Sequence, residues 1–358
     1  HGFRANHSTV HQISTVTEHI LDGFSRVNAT GAIFLDVSKA FDRVWHAGLI
    51  FKMVSAGFAP PLITITSSYL ANRSFRVKHS NTYSTRRSIE AGVPQGSILA
   101  PMLYNIYNHD TPQPTSNRTI LAQYADDTAI LASSISSRGV VLYLNRHLRT
   151  LEDWFSKWKI NINTKKSAAV YFSRRKPTRT NRPPIQPLLM YNTPIKWTDT
   201  ATYLGVTLDK RLTWSPHISN TVKKAKGARA RLFPLLNSKS TLSTKNRVTL
   251  YKTLIRPIMT YACPSWGYAL AHRRKTNPLQ TLQNTSLRRC LNANRYVTNE
   301  RIHTDLKIAP ILNTIKIQSQ KFFATMRKTN NTTLNHIHDN YVPNLLPRPL
   351  NILDDFPY

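Results

Sequence analysis

The sequence predicts an α+β protein, with strands gathered among amphipathic helices in the N-terminal half and a helical C-terminal half. Three observations carry this expectation. Short apolar runs of strand length, Ala32–Asp36, Ile120–Tyr124 and Thr128–Ala132, are bounded by acids or turn residues. Val10, Ile13, Val16, Ile20 and Phe24 recur at three-to-four spacing, which places them on one helix face. From His217 onward the spacing is helical, with breaks at Pro234, Pro257, Pro264 and Pro278.

In chain order, Ser8–Val27 reads as an amphipathic helix and Ala32–Asp36 as a buried strand ending in a carboxylate. A helical pattern over His46–Gly57 is stopped by Gly57 and Pro60-Pro61, and another covers Leu62–Leu70. Phe75–His79 and Arg87–Glu90 read as hairpin strands. Gly92-Val-Pro-Gln-Gly-Ser97 is a tight loop leading into a helix over Ile98–Tyr107. Ala-Asp-Asp separates the runs at 120–124 and 128–132, a hairpin with acids at its turn. Val141, Leu144, Leu148, Leu151 and Phe155 mark a helix over Val140–Trp158. Ala168–Phe172 is a strand and Pro177–Pro187 a basic, proline-rich loop, while Ile195–Trp197 and Tyr203–Leu208 read as paired strands. From about Asn330 the periodicity fades into a poorly packed tail.

Composition narrows the function. The 358 residues carry 49 Lys+Arg against 17 Asp+Glu, a formal net charge of +32. Hydrophobic residues make up 41%, enough for a substantial core, so general disorder is excluded. Two cysteines, Cys263 and Cys290, make neither a disulfide framework nor a Cys-based zinc site. No run of eighteen apolar residues exists, so no membrane span is expected. The chain begins His-Gly-Phe and reads as a fragment of something longer. Between Lys210 and Asn299 there are 18 Lys/Arg and no acid, and Trp154–Thr198 has ten and no acid. Cations without internal partners stay solvated or meet phosphates, so the expected partner is a polyanion.

The few acids sit differently. Asp36 closes an apolar strand, and Asp126 and Asp127 occupy the turn of a hairpin ninety residues later. If those strands are sheet neighbours, three carboxylates meet at one edge. Such a cluster repels itself unless a cation neutralises it, and hard oxygen ligands select Mg²⁺ or Mn²⁺. Two such ions activate an attacking hydroxyl and stabilise the leaving oxygen of a phosphoryl transfer. Taken singly, Asp-Asp is also a good turn pair and Asp36 a plausible helix cap.

Six ordered segments resemble a known family. Phe34-Leu-Asp-Val-Ser-Lys-Ala-Phe-Asp42, Gly92–Ser97 with Leu99 and Pro101, and Tyr124-Ala-Asp-Asp127 resemble three consecutive reverse transcriptase motifs. Asn163-Thr-Lys-Lys-Ser167 and Tyr203-Leu-Gly-Val206 resemble the two that follow, and Gly2-Phe-Arg4 with Ser8-Thr9 a fingers motif. The helical part, with Leu250-Tyr251, Pro257, Tyr261, Trp266, Leu282-Gln283 and Leu287-Arg288, is similar to non-LTR, LINE-type retrotransposons, especially jockey-like elements.

The resemblance implies a right-hand polymerase with an antiparallel palm sheet packed on helices and a helical thumb. It implies partial fingers at 1–30, a palm at 31–215 with fingers inserted at about 49–90, a thumb-like region at 216–325 and a tail at 326–358. Asp36, Asp126 and Asp127 would be catalytic and, with the Val37 carbonyl, would hold two Mg²⁺ ions, or Mn²⁺ in their place. Phe41 would lie under the incoming sugar and exclude a ribose 2′-OH. Gln95 and Gly96 would pack on the nucleotide, Lys166 would approach the departing pyrophosphate, and Arg4 would reach the triphosphate. Tyr203, Leu204 and Gly205 would grip the primer end. Lys223, Lys224, Lys226, Arg229 and Arg231 would track the duplex phosphates. The implied partners are an RNA template, a DNA primer, deoxynucleoside triphosphates and further domains of a longer polyprotein, an endonuclease-like one among them. The alternative is a truncated copy that binds nucleic acid without polymerising.

Overall fold

The computed structural model describes residues 2–4, 6–26, 28–176, 186–237, 239–270 and 277–328. The basic loop from 177 to 185 and the tail from 329 lie outside the described residues. The chain divides into two compact units, one of residues 1–8 and 27–201, the other of 9–26 and 202–358.

The first unit is built on a six-stranded sheet. Its spatial order is Thr119–Tyr124, Asp127–Ser134, Ala29–Leu35, Ala168–Phe172, Thr193–Thr198 and Leu188–Met190. Neighbours run antiparallel except Ala168–Phe172 and Thr193–Thr198, which run parallel. The expected pairing of Ile195–Trp197 with Tyr203–Leu208 is therefore corrected. That strand pairs instead with Ala168–Phe172 over 196–198 and with Leu188–Met190 over 193–195. Tyr203 belongs instead to a separate ribbon with Val206–Asp209. The expected hairpin after residue 74 forms as two short exposed ladders, Ser74–Phe75 with Arg87–Ser88 and Lys78–His79 with Thr82–Tyr83.

Ala29–Leu35 is buried along its whole length, which explains a run without polar alternation. Helix Ser137–Lys157 lays Val140, Val141, Leu144, Leu148 and Leu151 into the same core as Leu103, Tyr104 and Tyr107 of helix Leu99–Tyr107. Each fully buried aliphatic side chain contributes about 1.5–3 kcal/mol. The Ser136 hydroxyl caps the long helix by accepting from the Gly139 N–H at 3.1 Å.

One cation is sealed inside this core. Lys52 is 1% exposed, and its ammonium donates to the Asp110 carboxylate at 2.6 Å and to the Tyr107 carbonyl at 2.5 Å. It also lies over the rings of Tyr107, Trp154 and Trp158, at 4.9, 4.7 and 3.8 Å from their centroids. Burial lowers its pKa from 10.5 to about 8, against the opposing hydrogen bond and charge of Asp110, with Lys157 adding to the fall. A depressed lysine pKa means that the unfolded chain binds the extra proton between those two values. The stability of the wild type relative to Lys52→Met is therefore expected to rise as pH goes from about 8 to about 10.5. Urea unfolding of both proteins at pH 7.5 and 10 checks this, and a pH-independent difference would refute it.

The second unit is helical. Helix Thr9–Ser25 presents Ile13, Val16, Ile20 and Leu21 to its interior, and Trp214 and Trp266 are fully buried there. The Asp209 carboxylate fixes the turn into helix Ser215–Arg231 by accepting from the backbone N–H groups of Thr213 and Trp214, at 3.1 and 2.9 Å. No helix among the described residues is long and apolar enough to cross a membrane.

Candidate active site

Register places the carboxylates. Leu35 lies opposite Thr128 in the antiparallel ladder, so the next step sets Asp36 opposite Asp127. Tyr124 pairs with Asp127, leaving Ala125 and Asp126 as a two-residue turn. Ala125 has φ +54°, a left-handed conformation costing a non-glycine residue about 1 kcal/mol. The Asp36 backbone is pinned from the other side. Its N–H donates to the Ser167 hydroxyl at 3.2 Å, and its carbonyl accepts from the Asn163 N–H at 2.8 Å. Ser38 N–H donates to the Asn161 carbonyl at 2.8 Å, closing a bridge between Val37 and Ile162. In such a bridge the N–H and C=O of Val37 point away from Ile162, toward the side where the Asp126–Asp127 turn lies.

The electrostatics agree with this placement. Burial, then the charges of Asp126 and Asp36, raise the Asp127 carboxyl from 3.8 to about 6. The side chain is open to solvent, so water screens part of the effect, but three like charges remain mutually uncompensated. Burial, then the charge of Asp126, also raises the Tyr104 hydroxyl, which places that ring beside the turn. Among the described residues, no group of three His, Cys, Asp or Glu side chains is arranged to hold a metal ion by itself. The donor chemistry nonetheless suits a hard divalent cation, because hard carboxylate oxygens are what such ions take and their repulsion is what a cation relieves.

Phe41 stands one turn beyond the strand. Its ring stacks on Tyr104 with centroids 4.7 Å apart, and Phe3 meets it edge-on at 6.1 Å. Loop Gly92–Ser97 is laced to this segment: Val93 N–H donates to the Phe41 carbonyl and Gly92 N–H to the Val44 carbonyl, each at 2.8 Å. The Gly92 carbonyl accepts from Arg73 at 3.1 Å and lies 2.8 Å from the His46 ring nitrogen. The Gln95 amide donates to the Asp42 carboxylate at 2.9 Å, and Gly96 (φ +86°) faces open space. Lys166 is exposed on a turn whose N–H donates back to the Asn163 carbonyl at 3.1 Å. That turn carries Ser167, so it is tied directly to Asp36.

Gly2 closes the back of the hairpin. It is buried, its carbonyl accepts from Asn105 at 3.0 Å, and a Cβ there would lie 2.4 Å from the Ala125 nitrogen. Arg4 is exposed, and its carbonyl accepts from the His7 N–H at 3.2 Å. In this unit the structure thus brings together Asp36, Val37, Asp126, Asp127 and Phe41 with the loop of Gln95 and Gly96.

The remaining candidates belong to the second unit. Tyr203 is buried and its hydroxyl accepts from Gln12 at 3.3 Å, so the ring is a packing element. Leu204 and Gly205 form a turn with φ +46° and +79°, held by the Tyr261 hydroxyl donating to the Leu204 carbonyl at 2.9 Å. Gly205 is therefore favoured by its backbone, and an added Cβ would lie 3.3 Å from the Tyr261 ring. On helix Ser215–Arg231 the buried positions 217, 218, 221, 222, 225 and 228 leave Lys223, Lys224, Lys226 and Arg231 exposed. Arg229 differs: it is half-buried, one guanidinium nitrogen has no partner among the described residues, and desolvation followed by the charge of Arg289 lowers its pKa.

A carboxylate at a strand end, facing an acidic hairpin turn beside a ring and a glycine loop, is the layout the motif resemblance implies for a template-directed polymerase. Residues 1–208 match the family model described as reverse transcriptase (RNA-dependent DNA polymerase), and the chain belongs to that family. It is 34% identical over 97% of its length to a probable RNA-directed DNA polymerase from transposon X-element of Drosophila melanogaster, and covers 38% of that protein. It is 35% identical over 91% of its length to the corresponding protein of transposon BS from the same fly, covering 36% of it. Against the RNA-directed DNA polymerase from mobile element jockey, also of Drosophila melanogaster, identity is 31% over 97% of this chain and 38% of that one. The chain thus spans less than two fifths of these curated relatives. A Candida tropicalis apo telomerase truncated from its C-terminal domain aligns with a TM-score of 0.41 at 12% identity, over 58% of this chain and 39% of that one.

Several participants escaped the sequence reading. Ser167 is only the end of a motif in the sequence, yet it holds the Asp36 N–H. Tyr104 is an ordinary core-spaced aromatic until its ring is seen under Phe41. Asp42 occupies the amide of Gln95, a pairing across 53 residues that no local pattern signals.

Proposed function

We propose that the chain is the polymerase region of a non-LTR retrotransposon RNA-directed DNA polymerase, extending a DNA 3′-OH on an RNA template. The observation that supports it most is the facing placement of Asp36 and the Asp126–Asp127 turn, with the Asp127 carboxyl raised by burial and then by its neighbours' charge. In the reaction, the primer 3′ oxygen bonds to the α-phosphorus of a deoxynucleoside triphosphate and pyrophosphate departs. Asp36, Asp126, Asp127 and the Val37 carbonyl are the groups to hold two Mg²⁺, or Mn²⁺, ions. Bound there, such ions supply Lewis acidity to the attacking and leaving oxygens.

The chain's own residues set the geometry. Phe41, stacked on Tyr104 and bounded by Phe3, presents a fixed ring to the sugar. Gly96 leaves room for close backbone approach, while Asp42 orients the Gln95 amide. Lys166 stands on the turn tied to Asp36, where its charge can meet the departing pyrophosphate, and Arg4 is the fingers cation for the triphosphate. In the second unit, the turn at Leu204 and Gly205 after Tyr203 takes the primer end. Lys223, Lys224, Lys226 and Arg231 track template and primer phosphates, with Arg229 beneath them. Endonuclease-like and other domains belong to the rest of a longer polyprotein.

Primer extension on an RNA template with deoxynucleotides and Mg²⁺ tests the proposal. Retained filter binding with no extension, in this chain and in a longer polypeptide alike, would favour the binding-only alternative. The Phe41→Ala variant is expected to raise ribonucleotide incorporation relative to deoxynucleotide by about 10–100-fold, the scale of a lost steric contact in a pocket. An unchanged ratio in single-nucleotide insertion kinetics would remove Phe41 from that role.

A further inference from the structure

A second basic site lies in the helical unit, lined by no residue of helix Ser215–Arg231. A groove of about 340 Å³ is lined by Lys252, Arg256, Lys307 and Lys321, with Thr314 and Gln318 between them. Among the described residues, no carboxylate lines it. Asp305, the acid closest in sequence to Lys307, pairs with Arg301 at 3.7 Å. Lys252 and Arg256 are half-buried, and like charges four residues apart repel. A fold that holds them together without an acid in the groove is poised for an anion.

The local backbone explains how they come to share the groove. Tyr251–Ile255 is π-helical, and Pro257 follows at the second position of helix Arg256–Thr260. Proline has no N–H to donate to the Thr253 carbonyl, so the ladder widens by one residue. Opposite, Thr314, Gln318 and Lys321 fall at i, i+4 and i+7 on helix Ile311–Lys328, a stripe of about 10 Å at 1.5 Å per residue. Lys307 caps helix Asn299–Leu306 in a left-handed conformation with φ +49°. Cations spread over four segments around such a stripe suit successive phosphates of a chain better than one compact anion.

We infer that this groove is a seat for the phosphodiester backbone of single-stranded RNA, additional to the cations on helix Ser215–Arg231. The seat is electrostatic and sequence-tolerant, because lysines and an arginine facing phosphates read no base edges. It does not depend on the carboxylate site, so it should persist in protein carrying Asp127→Asn.

The test is fluorescence anisotropy with a labelled 20-nucleotide RNA between 50 and 200 mM KCl, in the Asp127→Asn background. Combining Lys252→Gln, Arg256→Gln, Lys307→Gln and Lys321→Gln is expected to reduce the slope of log affinity against log salt by about 2–3, at ~0.7 per phosphate contact on a single strand. Each pair alone, 252 with 256 or 307 with 321, is expected to give about half of that loss. Should the half-buried pair compromise folding in a thermal melt, the exposed pair at 307 and 321 carries the test. An unchanged slope in the exposed pair would overturn the site. Calorimetry with inorganic tripolyphosphate separates the sources: groove-dependent binding of tripolyphosphate with an unchanged RNA slope would mark a small polyphosphate seat and overturn the RNA assignment. Loss of extension in the parent Asp127 protein with the RNA slope intact would bear on the polymerase reading and not on this one.

Discussion

Exchanging Asp127 for Asn is expected to lower primer extension by about 10²–10³-fold or more, the scale for deleting one electrostatic stabiliser of a transition state. The same exchange is expected to raise the melting temperature by about 1–3 °C. The two effects share one cause. Asp127 faces Asp36 across the ladder and adjoins Asp126, and burial and their charges lift its pKa to about 6. On the proposed reading, carboxylates at one sheet edge repel one another until a cation is bound, so neutralising one would relax the fold and remove a ligand. Asn preserves the shape and the turn geometry, which isolates charge as the variable. Extension assays beside thermal melts without divalent ions check both halves. Full activity would end the catalytic assignment, and a lowered melting temperature would contradict the repulsion.

Gly92→Ala is expected to be the most damaging small substitution in the first unit, costing about 3 kcal/mol and lowering the melting temperature by roughly 6–12 °C. Gly92 has φ +92°, a conformation that side chains resist. An added Cβ would also lie 2.7 Å from the Asp42 carbonyl oxygen and 2.8 Å from the Asp42 Cα. Neither neighbour can yield cheaply, because Gly92 N–H is committed to Val44 and its carbonyl to Arg73. The loop must move as a body and carry Gln95 off Asp42, so extension should fall along with stability. A melting temperature within 2 °C of the wild type would show that the loop has slack that this packing denies.

Much of the first unit was legible because its signals are local. The hairpin around Ala125-Asp126 is announced by β-prone runs on both sides of an acidic turn, and it forms over 119–124 and 127–134. The buried strand before Asp36 was readable from its unbroken apolar run, although it starts at Ala29, three residues earlier than expected. What could not be read was pairing between distant segments. Ile195–Trp197 has strand composition, but composition does not choose a partner. A parallel ladder to Ala168–Phe172 won over the hairpin that adjacency suggested. Side-chain placement was no easier to read. The resemblance sets Tyr203 with Leu204 and Gly205 at the primer end, and the ring itself is buried with its hydroxyl beside Gln12. The groove at Lys252 and Arg256 hides behind a π-helical turn, an irregularity no periodicity encodes.

The contact between Gly2 and Ala125 has an evolutionary consequence. Backbone meets backbone there with no space for a side chain at position 2, while the turn residue at 125 is half-buried. The two positions therefore form an epistatic pair. A lineage that loses the glycine cannot keep the turn, more than a hundred residues downstream, as it is. In a mutational scan position 2 should look intolerant for reasons unrelated to chemistry. Its tolerance should return only when the turn varies with it.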